Sequence, residues 1–100
     1  MKTVPHVTAQ QAQAAANQFL SDHLPDRFTA ERAQLSDTNT IWHVPVILAY
    51  PLIGSLGQVG EVLVDTASEV IVFHTSFVEM KQAGQRLYEA QSDEIQAAFL

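Results

Sequence analysis

The uncharged stretch TNTIWHVPVILAYPLIGSLGQVG, residues 38–60, contains no Asp, Glu, Lys or Arg and decides how this chain folds. Its first half, from Ile41 to Tyr50, alternates as a strand does. The even positions form one apolar face: Trp42, Val44, Val46, Leu48 and Tyr50. The odd positions are mostly apolar as well, which is typical of a strand covered on both sides. Because Pro45 lacks a backbone N–H, we expect a bulge or an unpaired edge beside it.

The composition is that of one small domain with an unusually uncharged surface. One hundred residues suit a single domain, residues 1–100, and an apolar fraction of 47% is typical of a globular chain. Charged residues make up only 16%, whereas about a quarter is usual, so part of the surface is expected to be hidden in an oligomer. The net charge of −6 opposes contact with nucleic-acid phosphates and with an anionic membrane. We therefore expect no nucleic acid and no membrane as partners.

The chain has no cysteine, which excludes a disulfide scaffold, a thiolate metal site and a cysteine nucleophile. The first residues, MKTVPHVTAQQ, lack the apolar segment of a signal peptide, so we expect a cytoplasmic location. The uncharged stretch is barely long enough to cross a bilayer, and it contains Pro45, Pro51 and Gly54. A buried strand followed by a loop is therefore the better interpretation of that stretch.

A helix is predicted before the central strand. Thr8 stands three residues before Gln11, the spacing of a capping box, so a helix should begin at Ala9 and continue to about Asp22. Pro25 ends it, because the residue before a proline avoids the helical region. The residues of this helix that we expect to face the core are Ala12, Ala15, Ala16, Phe19, Leu20 and His23.

A second helix is predicted at the C-terminal end. Ser76 and Glu79 repeat the spacing of the capping box. The apolar stripe of this helix consists of Phe77, Met80, Gly84, Leu87 and Tyr88. Ser92 opens another start signal, so the helix is either broken near Ser92 or continuous. The apolar residues of this last part are Ile95, Ala98, Phe99 and Leu100.

Further strands are predicted on both sides of the central one. Residues 28–35 alternate in part and predict a short edge strand, whereas residues 51–57 are interpreted as a turn or wide loop. Residues 58–66 and 69–74 predict two strands whose connection is so short that they must pair antiparallel. The order helix, three or four antiparallel strands, helix predicts an α+β domain with the helices on one face of the sheet.

Helices on one face leave the other face of an apolar central strand without a cover. A second copy of the chain is the simplest cover, so we predict a homodimer. Its interface is expected to use the central strand and the apolar tip that follows. The residues predicted there are Trp42, Val44, Val46, Ile47, Tyr50, Leu52, Ile53 and Leu56.

The segment W-H-V-P-V, followed by G-E-V-L-V-D-T-A-S-E-V-I, resembles the signature of the PepSY and peptidase-propeptide group. In that group an N-terminal helix precedes a strand with Trp or Tyr and then a hairpin of the pattern G-x-V-x-V-D-x-x-T-G-E-V. The matching positions are Trp42, Gly60, Val62, Val64, Asp65, Glu69 and Val70. The resemblance covers about residues 8–74 and implies an α+β fold and an inhibitory or folding-assistant module.

Candidate chemical sites are few. His43, His74 and Glu61 are residue types that ligate zinc, but they lack local ligand spacing, so structural or interface histidines are the better interpretation. Whether His43 or His74 has a functional role stays open. No serine lies in a nucleophile-elbow pattern, and the glycine-spaced residues 54–60 lack the helix and lysine of a phosphate cradle. The sequence predicts no catalytic residue, no metal and no cofactor.

These observations favour a non-catalytic protein–protein interaction or inhibitory module. We expect a homodimer, with a further protein partner encoded by a neighbouring gene as a second possibility. The alternative is a small-ligand-binding protein or enzyme that uses an apolar pocket between the helices and the sheet. That pocket would be lined by Trp42, Tyr50, His43 or His74.

Overall fold

The computed structural model describes residues 6–98. Within them, one helix precedes five strands and two helices follow. The elements are α1 (Ala9–His23), β1 (Phe28–Ala30), β2 (Gln34–Leu35), β3 (Ile41–Tyr50), β4 (Gly54–Asp65), β5 (Ile71–His74), α2 (Phe77–Ala90) and α3 (Ser92–Ala98). Every strand pair is antiparallel, and this confirms the α+β fold predicted from the sequence.

The long strands β3 and β4 form the centre of the sheet. The strand order is β1-β3-β4-β5, and β2 also pairs with β3. Together β1 and β2 occupy the predicted edge strand at residues 28–35, which is interrupted in its middle. The carbonyl of Pro45 accepts a hydrogen bond from the Glu31 N–H at 2.8 Å, so the proline nitrogen also points toward this edge and has no hydrogen to offer. Ladder pairing along this edge of β3 is interrupted beside Pro45, between the Ala30–Val46 and Gln34–His43 pairs.

Of the two interpretations of residues 51–57, a turn or a wide loop, the structure shows a tight turn, and β4 already begins at Gly54. Gly54 already pairs with Tyr50, and the chain reverses around Leu52. Leu52 has a φ of 73° and Gly54 a φ of 89°, which lies in the left-handed region that tight turns use. Leucine rarely adopts this backbone conformation, so the identity of Leu52 does not indicate where the chain reverses. The β3–β4 pairing also has two register shifts, between Val46 and Ile47 and between Leu48 and Ala49.

Both long helices pack on one face of the sheet, which we call the inner face. Along β3 the even positions up to Leu48 are buried and the odd positions are partly exposed. The buried side chains of the inner face are Val44, Val46, Val62 and Val64, and the helices cover them with Ala12, Ala16, Leu20 and Met80. Alanines at the contact positions of α1 let that helix lie close to the strands. The apolar alternation along β3 therefore identified the core.

Four residues that we predicted at the dimer interface belong to this core. Trp42, Val44, Val46 and Leu56 are each no more than 9% exposed. Their prediction as interface residues was wrong, because these side chains are covered by the helices of their own chain. Trp42 also donates its indole N–H to the carbonyl of Val7 at 2.8 Å, so a partner has no access to it.

The helix boundaries agree with the capping signals. The Thr8 N–H donates to Gln11 Oε1 at 2.8 Å, and the Gln11 N–H donates to Thr8 Oγ1 at 3.1 Å, which completes the predicted capping box. At the second helix, Ser76 Oγ accepts from the Glu79 N–H at 3.1 Å. Each bond satisfies a backbone donor that has no partner within its helix.

The C-terminal helix is broken, as one of the two interpretations required. Gln91, with φ −124° and ψ 18°, separates α2 from α3. Ile95 is buried on α3, and it attaches the short helix to the core. The predicted apolar residues Phe99 and Leu100 lie outside the described residues.

Candidate functional site

The face of the sheet opposite the helices carries a band of apolar side chains. We call it the outer face. Side chains alternate along a strand, so the odd positions of β3 and their partners on β4 and β5 belong to it. Its residues are Ile41, His43, Pro45, Ile47, Glu61, Leu63 and Phe73. None of the helices in residues 6–98 packs its buried positions on this face.

One row of the outer face crosses three strands. His43 pairs with Leu63, and Leu63 pairs with Phe73. Paired residues on one face are in contact across the ladder. Phe73 is 53% exposed, so the row ends in a large ring that is half open to solvent. An exposed apolar patch on a sheet is a common mark of a protein contact surface.

Two polar side chains lie in the middle of the outer face. His43 Nδ1 is 3.6 Å from Glu61 Oε2, and the two side chains are 45% and 41% exposed. Thr75 holds the backbone of Glu61, because its Oγ1 accepts from the Glu61 N–H at 2.9 Å and its N–H donates to the Glu61 carbonyl at 3.0 Å. The carboxylate therefore projects from a fixed point of the sheet.

The β5 edge of the sheet, beside the outer face, is poorly suited to pairing with a strand of another chain. β5 is the last strand in the sheet order and is only four residues long. Its pairing with β4 shifts register between Phe73 and Ile71, which makes Val72 an extra residue. Short, bulged edge strands resist edge-to-edge association. Val70 and Val72 are exposed there, and they extend the apolar surface at the margin of the outer face.

The remaining predicted interface residues divide between the two sides. Ile47 lies on the outer face, and Leu52 is 84% exposed at the tip of the β3–β4 hairpin. Tyr50 and Ile53 are partly buried against the core. The sequence analysis missed Ile41, Pro45, Leu63 and Phe73 as surface residues. For Ile41, Pro45 and Leu63 the signal is their alternation with the buried residues of β3 and β4, whereas Phe73 is identified only by its pairing with Leu63.

His43 and His74 lie on opposite faces of the sheet. His43 pairs with Leu63 on the outer face, whereas His74 pairs with Val62, whose side chain is buried on the inner face. Strand register decides this, and sequence spacing does not reveal it. In the part of the chain that the structure describes, no three His, Asp or Glu side chains come close enough to hold a metal ion.

His74 instead belongs to a cluster of four rings. The Phe77 ring stacks on His23 and on His74 at centroid distances of 4.8 Å each, and Phe19 lies 5.5 Å from it. His23 Nδ1 lies 2.9 Å from the Phe19 carbonyl oxygen, and His74 Nδ1 lies 2.8 Å from the Thr75 carbonyl oxygen. These contacts join α1, β5 and the start of α2, so a structural role accounts for both imidazoles.

The acidic residues of the second hairpin have a structural use as well. The Asp65 carboxylate accepts from the Ser68 hydroxyl at 2.7 Å, from the Ser68 N–H at 2.9 Å and from the Ala67 N–H at 3.2 Å. These bonds, led by the Ser68 hydroxyl, hold the pKa of Asp65 below its usual value of 3.8. They close the turn that leads to Glu69, which has a φ of 64°.

A groove opens between α2 and the end of the sheet near the hairpin tip. It has a volume of about 300 Å³, and Tyr50 is among its lining residues. The other residues predicted to line a pocket lie elsewhere: Trp42 is in the core, His43 is on the outer face and His74 is in the ring cluster. Tyr50 was therefore predicted correctly, whereas the other three residues lie on both sides of the sheet and cannot line one pocket with it.

The glycine-spaced segment at residues 54–60 lies within β4, so it has the geometry of a strand and no phosphate cradle forms there. Among residues 6–98, the longest and most apolar helices still fall short of what a bilayer crossing requires. No family model matches the chain, and neither a curated protein nor a solved structure is similar enough to match it.

Proposed function

We propose that this protein works without catalysis, by protein–protein association, and that its outer face is the interface of a homodimer. The observation that supports this most strongly is the row from His43 through Leu63 to Phe73, which no element of residues 6–98 covers. The low charge of the chain supports the same proposal, because an apolar surface is hidden by association. The cytoplasmic location expected from the sequence is part of this proposal.

The size of the outer face sets the strength of the proposed contact. β3 and β4 have 10 and 12 residues, so each is about 35 Å long, and neighbouring strands are about 4.8 Å apart. With the short flanking strands the outer face measures on the order of 450 Å² in plan. A standard interface buries about 800 Å² per partner. Exposed residues at the margins, chiefly Leu52, Val70 and Val72, would have to contribute, and we expect a dimer of micromolar affinity.

The polar pair on the outer face suits a two-fold dimer. In such a dimer each copy contributes the same patch, and two sheets packed face to face lie about 10 Å apart. A carboxylate buried without a partner is costly. An arrangement in which each Glu61 meets the partner's His43 avoids this cost, and His43 already lies within 3.6 Å of Glu61 in its own chain.

A pair of lysine substitutions tests the proposal. Phe73→Lys places a charge on the outer face, whereas Val78→Lys places it on α2 at a residue that is 64% exposed. Both residues are partly solvated in the single chain, so both variants should fold, which circular dichroism verifies. We expect Phe73→Lys to lower the mass measured by light scattering to that of a monomer and Val78→Lys to leave a dimer.

Equal dimerisation of the two variants would contradict the proposed interface. A different protein that co-purifies with the chain, and that Phe73→Lys releases, would replace the second copy as the occupant. That outcome would favour the inhibitory or folding-assistant role that the resemblance to the PepSY and peptidase-propeptide group implies. It would also agree with a partner encoded by a neighbouring gene.

A further inference from the structure

The groove near the hairpin tip combines an apolar floor with two cations. It lies on the helix side of the sheet, and its volume of about 300 Å³ is at the lower end of the roughly 300–1,000 Å³ of small-molecule sites. The residues that matter for the argument are Arg27, Phe28, Leu48, Tyr50, Lys81 and Tyr88. They come from the segment before β1, from β1, from β3 and from α2, so the fold itself shapes the groove.

The floor of the groove is closed by a close helix contact. Gly84 on α2 faces Phe28, and a Cβ at this position would lie 3.1 Å from the Phe28 Cζ atom and 3.7 Å from Leu48 Cδ2. The glycine therefore lets the helix lie directly against the Phe28 ring. Leu48 is 4% exposed, so the floor is dry and apolar.

Aromatic rings form the walls. Tyr50 and Tyr88 approach each other with centroids 6.1 Å apart and planes tilted by 41°. The guanidinium carbon of Arg27 lies 4.9 Å from the centre of the Tyr50 ring, which is a cation–π distance. This contact holds the Arg27 side chain at the mouth of the groove. Rings on the walls and the floor favour a flat apolar ligand body.

Two of the chain's few cationic side chains lie at this groove, although the net charge of the chain is negative. The protein has five Lys and Arg residues and a net charge of −6, yet Arg27 and Lys81 both line this one groove. Neither has a carboxylate of residues 6–98 within salt-bridge distance. Two exposed cations beside an apolar floor are the complement of an anion attached to an apolar body. Arginine in particular presents a planar fork of donors that matches a carboxylate.

We propose that this groove binds a small organic monocarboxylate with an aromatic body. The ring lies against Phe28 and the contacting pair of Tyr50 and Tyr88, and the carboxylate lies between Arg27 and Lys81. The groove volume accommodates one ring and a short acid chain. The site is separate from the outer face, so binding here does not depend on the proposed dimer.

The test is a titration of the isotope-labelled protein with 3-phenylpropionate, followed by NMR. We expect chemical-shift changes centred on Arg27, Gly84 and Tyr88, with a dissociation constant in the millimolar range that is usual for so small a ligand. The uncharged analogue 3-phenylpropan-1-ol should bind several-fold more weakly, because it has no carboxylate to pair with the cations.

Charge variants complete the test. The double substitution Arg27→Gln and Lys81→Gln should raise the dissociation constant of 3-phenylpropionate roughly tenfold, since each exposed ion pair contributes modestly to the binding free energy. Arg86→Gln, on the same helix in a neighbouring surface groove with Glu89, is the matched control and should leave the affinity unchanged. Phe73→Lys should also bind normally, which separates this site from the outer face.

The proposal would be overturned if the acid and the alcohol bound equally, or if the double variant bound as well as the parent. Shift changes that fell on the outer face would also overturn it. An absence of shift changes at saturating millimolar concentration would have the same meaning.

Discussion

Substituting Gly60 by alanine tests the packing of the sheet at its closest contact. A Cβ at this position would lie 2.8 Å from Thr75 Cβ, 2.9 Å from Thr75 Oγ1 and 2.9 Å from Met80 Cγ. Met80 is flexible and can turn away. Thr75 cannot, because two hydrogen bonds of 2.9 and 3.0 Å fix it to Glu61, the residue next to Gly60.

The expected cost has three contributions. Overpacking costs about 1–3 kcal/mol of the free energy of unfolding, and loss of one hydrogen bond to Thr75 costs about 1 kcal/mol. The lower entropy of the unfolded alanine chain returns about 0.4–1 kcal/mol. The net loss should therefore be about 1–3.5 kcal/mol. For a chain of this length, each kcal/mol lowers the melting temperature by roughly 4–8 °C.

The assay is urea unfolding followed by circular dichroism, arranged as a double-mutant cycle. Thr75→Gly removes the threonine atoms that clash. In the Thr75→Gly background, the loss in free energy of unfolding caused by Gly60→Ala should therefore be smaller by at least about 1 kcal/mol. Gly54→Ala is the control: its φ of 89° strains an alanine, but no atom lies close to its Cβ, so its cost should be the same with and without Thr75→Gly. Strictly additive effects of Gly60→Ala and Thr75→Gly would refute the reasoning.

Three further predictions concern the core, a turn and the ring cluster. Trp42→Ala should cost about 3–5 kcal/mol in urea unfolding, because the ring is buried and its N–H is bonded; a loss under about 1 kcal/mol would contradict its place in the core. The lowered pKa of Asp65 means that its ionised form stabilises the fold above the unfolded pKa of 3.8, and that this contribution is lost as the pH falls through the lower folded pKa. Unfolding measured across pH should show Asp65→Asn to be less stable than the parent at neutral pH and equally stable in strong acid, and a difference that does not depend on pH would contradict this. Phe77→Leu should cost about 0.5–1.5 kcal/mol beyond its change in buried area and should shift the ring-proton NMR signals of His23 and His74, which stack on Phe77; unchanged signals would contradict the stacking.

Local patterns in the sequence were enough to predict most of the elements. The Thr8–Gln11 box and the alternation of β3 each depend on residues close in the chain, and each is present in the structure. The interruption beside Pro45 follows from one missing hydrogen-bond donor. Physical rules of short range sufficed for all of these.

Features that depend on strand register could not be predicted in the same way. The side of the sheet that carries the helices decides whether Val46 or Ile47 is available to a partner, and both residues are apolar. His43 and His74 come to lie on opposite faces only because of how β3, β4 and β5 pair. The groove at Arg27 and Lys81 joins segments more than fifty residues apart, so no local spacing indicates it.

Sedimentation equilibrium of the unmodified protein from low to high micromolar concentration addresses the outer face most directly. If a second copy covers Leu63 and Phe73, the measured mass rises with concentration toward twice the chain mass of 11.0 kDa. A mass that stays at 11.0 kDa over the whole range would show that the outer face is stable in water and would contradict the proposed association.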